Sequence, residues 1–331
     1  MSTGGWQPTA GHVAGGEHGR VIPIERVIRR HDFFLRRRDL LAMGYTDAHL
    51  RSALGRKRIF RVRQGWYSVA DAPEVGIRAV RVGGRLTALS ALESYGLLVP
   101  RATQLQVAVR PTASRLRHPA DRLKRLTALS GVTVHWTHRS SSSPWRVSVA
   151  DALVAVLQVE GRDVAVAACS AALHSGALRE WELDFVFERA PARVRGWRRL
   201  ASAQDESHGE TFARLWMGDA GIECEQQFEV AGVGWLDFRL RKNLYVEVDG
   251  GQHGDPGQWE TDHERDVAIA ALGGKTIRIT YRQLLGAWPA VLAAIERAIA
   301  DAEALAARRR VHPYRPRPER KRRRSRAKQP P

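Results

Sequence analysis

The 331-residue chain contains little cysteine, with only Cys169 and Cys224. Two thiols cannot build a disulfide framework and are too few for a cysteine-based zinc site, so both classes are excluded. The sequence also has no apolar run close to the roughly 20 residues that cross a bilayer. Residues 1–20 are rich in Gly and His instead of carrying the apolar stretch of a signal peptide. We therefore expect a cytoplasmic protein with no membrane span.

Acidic residues are scarce near both ends of the chain, and the formal net charge is +18. Residues 20–63 hold 13 Lys and Arg against four Asp and Glu, and residues 308–328 hold 12 against one. Localised positive charge is typical of proteins that bind a polyanion, and nucleic acid is the commonest polyanion in a cytoplasm. The alternatives are an anionic membrane surface or, for the C-terminal segment, a solvated appendage that binds nothing.

The rest of the composition is that of a globular protein, with 44% hydrophobic and 27% charged residues. The length allows two or three domains, and the predicted class is a multidomain α/β fold. The predicted organisation is a disordered segment 1–20, a winged-helix domain 21–75, a mixed α/β middle domain 76–200, a C-terminal α/β domain 201–307 and a disordered basic tail 308–331.

Two short helices followed by a hairpin are predicted in the first domain. Residues 38–43 are helical, and Thr46 is a suitable N-cap for a second helix over residues 47–55. Residues 60–63 alternate apolar and basic side chains before a turn at Gln64-Gly65 and a strand over residues 66–69. This order of elements predicts a winged helix-turn-helix.

The middle domain shows secondary structure but no chemical motif. The pattern predicts a helix over residues 88–95, strands over 105–109 and 132–136, and helices from Val149. His135 and His138 have no acidic residue or Cys nearby, so they are expected to be strand-surface residues and not metal ligands. A spacer or a module for homo-oligomerisation is the expected role.

The C-terminal domain is predicted to follow the order αββαβα. The helices are expected at residues 210–220, 259–272 and 288–307, and the strands at residues 235–240, 244–249 and 275–280.

The first two of these strands are predicted to form a hairpin with a three-residue loop, so that Leu240 faces Leu244 and Asp237 faces Glu247. One face of the hairpin is then wholly apolar and the other carries the polar side chains. The apolar face comprises Leu236, Phe238, Leu240, Leu244, Val246 and Val248. The polar face comprises Trp235, Asp237, Arg239, Tyr245, Glu247 and Asp249.

Opposed carboxylates on this polar face predict a cation site. Two such groups about 5 Å apart repel each other by about 3 kcal/mol at an effective dielectric constant near 20, and a divalent ion removes this cost. Oxygen ligands favour Mg²⁺ or Mn²⁺ over zinc, and such an ion commonly acts on phosphate substrates. The alternative is that Arg239 and Lys242 neutralise the acids as surface ion pairs.

Four ordered motifs carry a family resemblance. They are residues 235–239 (WLDFR), 246–253 (VEVDGGQH), 262–265 (DHER) and 274–278 (GKTIR). Together they resemble the very-short-patch-repair-like endonuclease branch of the PD-(D/E)XK nuclease superfamily. The resemblance implies a restriction-endonuclease-like domain that cleaves DNA with Mg²⁺ or Mn²⁺.

The resemblance also implies roles for particular residues. Asp237 and Glu247 would bind the metal ion, Glu210 on the first helix would assist, and His253 would lie at the edge of the site. The chain departs from the superfamily at Asp249, which stands where a Lys follows the Glu by two residues. Another group, such as His253 or Lys275, must then orient the water, or the site is weak or silent.

The N-terminal motif has a resemblance of its own. Residues 34–69, with the TALSAL run at residues 87–92, are similar to the winged-helix region of AbiEi-type antitoxins. This resemblance implies DNA binding, often at a promoter, with a cognate toxin as a candidate partner. The second helix would present His49, Arg51, Ser52 and Arg56 to the major groove, and the wing would offer Arg61 and Arg63 to phosphates. A protein-binding role for the winged helix is the alternative.

Two hypotheses result. The first is a DNA-binding protein with a metal-dependent endonuclease domain that hydrolyses phosphodiester bonds. The second is a non-catalytic regulator of antitoxin type that uses the nuclease fold as a scaffold, and the missing Lys favours it.

Overall fold

The computed structural model describes residues 22–138, 141–241, 243–249 and 256–311. For residues 256–263 and 308–311 it describes the helical backbone without the side chains. The chain is mixed α/β, with about 48% helix and 19% strand in several small sheets, which confirms the predicted α/β class. The segment 1–20 and most of the basic tail lie outside the described residues.

The chain forms two compact units, one up to Asp219 and one from Ala220. The first unit opens with a small antiparallel sheet and three helices. Their bounds are α1 (Ile24–Arg30), β1 (Phe34–Arg36), α2 (Arg37–Ala42), α3 (Asp47–Gly55), β2 (Phe60–Arg63) and β3 (Trp66–Ser68). The strand order is β1-β3-β2. The two predicted helices and the predicted hairpin are present.

Helix α3 begins where the sequence predicts, because Thr46 forms a reciprocal cap with His49. The His49 backbone N–H donates to Thr46 Oγ1 over 3.3 Å, and the Thr46 backbone N–H donates to His49 Nδ1 over 3.2 Å. The helix buries Leu50 and Ala53 against the first sheet and leaves most of its other side chains in solvent. Such a cap satisfies two backbone donors that have no partner within the helix.

The rest of the first unit surrounds a second three-stranded sheet with the order β4-β5-β6. Its elements are α4 (Glu74–Val82), β4 (Arg85–Leu86), α5 (Ala88–Ser94), β5 (Leu105–Val109), β6 (Val132–Trp136), α6 (Val149–Val159), α7 (Arg162–His174), α8 (Glu180–Glu188) and α9 (His208–Asp219), with 3₁₀ turns at Ala128–Ser130 and Ala192–Leu200. All five residues of β5 are buried, and the β5–β6 pair is parallel.

The two sheets of the first unit share a hydrophobic core. Phe34 from β1 and Val62 from β2 belong to the same buried cluster as Leu153 and Leu157 of α6. The segment predicted as a winged-helix domain therefore packs directly on the segment predicted as a middle domain.

The second unit contains one four-stranded sheet with the order β10-β9-β8-β7. Its elements are β7 (Glu225–Val230), β8 (Gly234–Arg241), β9 (Leu244–Asp249), α10 (Pro256–Ala271), β10 (Lys275–Thr280), α11 (Tyr281–Gly286) and α12 (Trp288–Val311). The β7–β8 and β8–β9 pairs are antiparallel, and β10 runs parallel to β9.

The predicted order αββαβα is incomplete, because the structure adds strand β7 before the hairpin and helix α11 after β10. Strand β7 lacks a clean alternation in the sequence, because residues 225–227 are Glu-Gln-Gln and only Phe228 and Val230 are apolar. Three consecutive polar residues hide the strand from sequence periodicity. The helix predicted at residues 210–220 corresponds to α9 and belongs to the first unit, not to the C-terminal one. Helix α12 continues to Val311, into the segment predicted as a disordered tail.

The predicted hairpin register is correct in its centre and wrong at its tip. Phe238 pairs with Val246 and Arg239 with Tyr245, but it is Arg241 that pairs with Leu244, in place of the predicted Leu240. The shift lies between Arg239 and Arg241, next to Asn243, which has a left-handed φ of 65°. Asn tolerates this conformation better than most residues, so the chain turns there.

Candidate functional site

The candidate site lies on the polar face of the β8–β9 hairpin. The opposite face is apolar as predicted, because Leu236, Phe238 and Val246 are each at most 1% exposed. This buried face fixes which way the alternating side chains project. It places Asp237, Glu247 and Asp249 on the other face of the same pair of strands.

Glu247 is the most buried of these acids, with 7% of its surface exposed. Two arginines bind it from different elements. Arg265 of α10 places Nη2 3.4 Å from Glu247 Oε1, and Arg278 of β10 places Nη2 3.1 Å from Glu247 Oε2. Arg278 is also the register partner of Glu247 across the parallel β9–β10 pair. The carboxylate is therefore held between two guanidinium groups.

Arg278 also contacts two further carboxylates. Its Nη1 lies 3.8 Å from Asp249 Oδ1, and its Nη2 lies 3.3 Å from Asp266 Oδ1. One arginine thus bridges Glu247, Asp249 and Asp266. Arg265, in turn, donates a hydrogen bond from Nη2 to the carbonyl oxygen of Trp235.

Asp237 faces β9 through a different contact. Its Oδ2 accepts a hydrogen bond of 2.7 Å from the backbone N–H of Val248. This bond fixes the Asp237 carboxylate at the strand next to Glu247, as the predicted register requires.

Several groups act on the pKa of Glu247, and the net direction is upward. Burial is the largest cause, because it penalises the charged form. Arg278 and Arg265 lower the pKa, while the nearby charges of Asp237 and Asp249 raise it further. The two guanidinium groups therefore do not fully offset the burial and the like charges around this carboxylate.

The predicted neutralising residues are not the ones that the structure shows at this site. Arg239 forms an ion pair of 2.5 Å with Glu225 on β7 and lies 3.8 Å from the centre of the Phe228 ring. Lys242 is outside the described residues. Sequence reasoning missed the contact of Arg278 with Glu247, although Arg278 lies in the motif 274–278, because the sequence does not define the register of a parallel strand.

The donor set suits a hard cation in part. Asp237 and Glu247 offer oxygen atoms only, which is the chemistry that Mg²⁺ and Mn²⁺ prefer. Within the described ranges, no group of three or more His, Cys, Asp or Glu side chains is arranged to hold a metal ion. His253 and the glycines before it lie outside those ranges, so their contribution is not described.

Glu210, the remaining predicted site residue, lies on α9 in the first unit and is 6% exposed. Its Oε2 accepts a hydrogen bond of 2.9 Å from the backbone N–H of Glu206. This contact places the side chain at the start of its own helix.

The predicted DNA-reading residues are mostly in solvent. His49, Arg51, Ser52 and Arg56 on and after α3 are exposed, as is Arg61 on β2. Arg63 differs, because it is half-buried and donates a hydrogen bond of 2.9 Å from Nη2 to the Arg115 carbonyl oxygen. The structure therefore separates Arg63 from the exposed group.

Comparison with known proteins adds no family to these observations. No protein-family model matches the chain, and no curated protein matches it significantly. Across the described residues, every helix is too short or too polar to cross a membrane.

Proposed function

We propose that the protein binds DNA through its N-terminal winged helix and hydrolyses phosphodiester bonds at its C-terminal, restriction-endonuclease-like unit. The observation that carries the catalytic half is the buried Glu247 beside Asp237 and Asp249 on one strand-pair face. Three carboxylates gathered above an apolar strand face are costly unless cations compensate them. Two arginines supply part of that compensation, and the raised pKa of Glu247 supports a need for more.

The N-terminal half of the proposal rests on the order and exposure of its elements. A helix pair precedes a hairpin, and the second helix α3 is rigidly capped while its outer face stays in solvent. Arg51 and Arg56 on that face, with Arg61 on the following strand, are exposed. A capped helix with an exposed basic face fits the major groove, while wing residues reach the phosphates.

In the C-terminal site, Asp237 and Glu247 would hold Mg²⁺ or Mn²⁺. The ion, when bound, supplies charge stabilisation and a more acidic attacking water. Arg265 and Arg278 would turn from the carboxylates toward the phosphate oxygens, for which their guanidinium forks are suited. The proton of the attacking water would pass to an acidic side chain such as Asp249, which takes the place of the superfamily's Lys.

The decisive experiment is a plasmid-nicking assay with Mg²⁺ or Mn²⁺. We expect nicking by the parent chain and a loss of about 100-fold or more in Asp237→Asn and Glu247→Gln, since outer-shell changes alone cost up to that factor. Glu229→Gln, an exposed acid on β7, is the matched control and should cut like the parent. Calorimetric titration with Mn²⁺ should show weaker uptake in the two site variants only. Nicking that survives both site changes would refute the assignment.

A non-catalytic regulator is the second candidate, and the ion pairs favour it. Both oxygens of Glu247 already face arginines, and Asp249 occupies the position of the expected Lys. In this case the unit would be a scaffold or a second grip on DNA. It predicts selective binding of one duplex with no nicking under any divalent metal. Arg51→Ala should then reduce discrimination between duplexes by about 1–3 kcal/mol, if Arg51 reads a base.

A further inference from the structure

A cavity of about 290 Å³ in the first unit is lined by arginines from four separate elements. Arg36 ends β1, Arg63 ends β2, Arg85 begins β4, and Arg110 follows β5. The cavity thus lies where the two sheets of this unit meet. Its volume is at the lower end of the range for small-molecule pockets.

No acidic side chain lines this cavity in the described part of the chain. Three of its arginines instead make contacts with neutral groups. Arg63 donates from Nη2 to the Arg115 carbonyl, Arg85 donates from Nε to the Ser143 carbonyl over 2.9 Å, and Arg36 lies 4.8 Å from the centre of the Trp66 ring. These contacts position the side chains without bringing a carboxylate to the cavity wall in the described residues.

The backbone leaves room for these side chains at Gly83 and Gly84. A Cβ atom on Gly83 would lie 2.0 Å from Arg63 Nη1, and its φ of 120° also excludes most other residues. A Cβ on Gly84 would lie 2.1 Å from the Ala108 carbonyl oxygen. Gly83 therefore lets the Arg63 guanidinium pass close to the chain, and Gly84 lets the chain approach the Ala108 carbonyl.

The arginines affect one another across this space. Burial, together with the smaller effect of the charges of Arg36 and Arg110, lowers the pKa of Arg85 to about 10. Burial is also the largest cause that lowers the pKa of Arg63 and of Arg36, and the charges of Arg117 and Arg38, respectively, lower it further. The negative charge of Asp39 opposes this shift by raising the pKa of Arg36. Guanidinium groups carry a positive charge in proteins, so the site has an excess of positive charge.

We propose that this arginine-lined cavity is a binding site for a phosphate group. A tetrahedral phosphate group presents several acceptor oxygens in different directions, so more than one guanidinium can bind it at once, each through two parallel hydrogen bonds. A carboxylate has only two oxygens in one plane and can contact fewer of the arginines together. The group could come from a free phosphate compound or from a DNA strand, and the site does not depend on the carboxylates of the C-terminal sheet.

Titration calorimetry with sodium diphosphate tests the first source, and fluorescence anisotropy with a labelled duplex tests the second. Both use the full chain and the variants Arg85→Gln and Arg110→Gln. Arg101→Gln is the matched control, because Arg101 is an exposed arginine of the same unit that does not line the cavity. We expect each cavity variant to weaken binding tenfold or more and the control to leave it unchanged.

The two arms identify the source. A loss of diphosphate affinity with unchanged duplex affinity assigns the cavity to a free phosphate compound. A loss of duplex affinity, with displacement of the duplex by diphosphate in the parent chain, assigns it to the DNA backbone. Arg110 is exposed, so its variant should keep the parent unfolding temperature even where Arg85→Gln does not fold. The proposal is overturned if Arg110→Gln binds each probe with the same affinity as the parent chain and the control.

Discussion

The acidic cluster of the C-terminal sheet and the arginine-lined cavity of the N-terminal unit treat buried charge in opposite ways. In the C-terminal sheet, Arg265 and Arg278 balance Glu247 and its acidic neighbours within the protein. In the N-terminal unit, the cavity between the two sheets collects arginines and brings no carboxylate to its wall in the described residues. A balanced cluster is complete as folded, whereas an unbalanced one favours an external anion. Net charge alone does not reveal this difference, because it sums both arrangements.

The largest loss of stability is expected when the buried ion pair of Asp205 and Arg214 in the N-terminal unit is broken. This loss is the reference for the other charge substitutions. The Asp205 side chain is 0% exposed, and it accepts hydrogen bonds from Arg214 Nε over 2.9 Å and Arg214 Nη2 over 2.6 Å. Arg214→Met leaves the buried carboxylate without this partner and should lower the free energy of unfolding by about 3 kcal/mol. Chemical denaturation measures the loss, with Arg101→Met as the control. A loss below about 1 kcal/mol would show that Asp205 has sufficient other support.

A smaller loss of stability is expected at the C-terminal cluster, because both Arg265 and Arg278 form ion pairs with Glu247. Arg278→Met removes one of them and should cost about 2 kcal/mol, less than a fully buried pair because Arg265 remains. The test is a double-mutant cycle with Glu247→Gln. Coupling requires the double variant to lose less stability than the sum of the two single losses. Simple additivity would mean that Arg278 does not compensate Glu247.

The N-cap of α3 can be tested by a substitution that changes no charge. Thr46→Ala removes the hydroxyl that caps α3 and should lower the free energy of unfolding by about 1 kcal/mol. Thermal unfolding measures this loss, and Thr46→Ser should retain most of the cap. DNA affinity should fall in the Ala variant if α3 enters the groove. An unchanged unfolding temperature in Thr46→Ala would indicate that tertiary packing alone fixes the start of the helix.

The smallest expected effect is a pH dependence at Glu247. Because its pKa is raised in the folded state, the folded protein binds this proton more tightly than the unfolded chain does. Stability from this group is present below the unfolded pKa and is lost as pH rises through the folded pKa. Relative to Glu247→Gln, the parent should therefore lose stability between about pH 4 and the raised pKa. Denaturation curves across this range measure the difference, and the opposite slope would mean that the arginines dominate.

Local signals made much of the secondary structure predictable. The bounds of β5, β6, β9 and β10 match the prediction from alternation and turn residues, and Thr46 begins α3 as its type suggests. These features depend on residues within a few positions of one another. Strand β7 was not predictable in the same way, because its first three residues, 225–227, are all polar and show no alternation.

The candidate site was predictable as a set of acids but not as a set of contacts. Hairpin pairing brings Asp237 near Glu247, and this follows from a short loop and an apolar face. The partners of Glu247 come from α10 and from β10, and a parallel strand has no tight turn that fixes its register. The alternative to a metal ion was neutralisation by Arg239 and Lys242, but Arg239 pairs with Glu225.

The sequence by itself determined the α/β class, most helix and strand positions, the cap of α3 and the apolar face of the β8–β9 hairpin. Tertiary structure alone decided which charges meet. It joined Arg278 to Glu247 across a parallel pair, and it gathered Arg36, Arg63 and Arg85 around one cavity. The physical reason is range: periodicity and capping act over a few residues, whereas ion pairs and cavities depend on how distant segments pack.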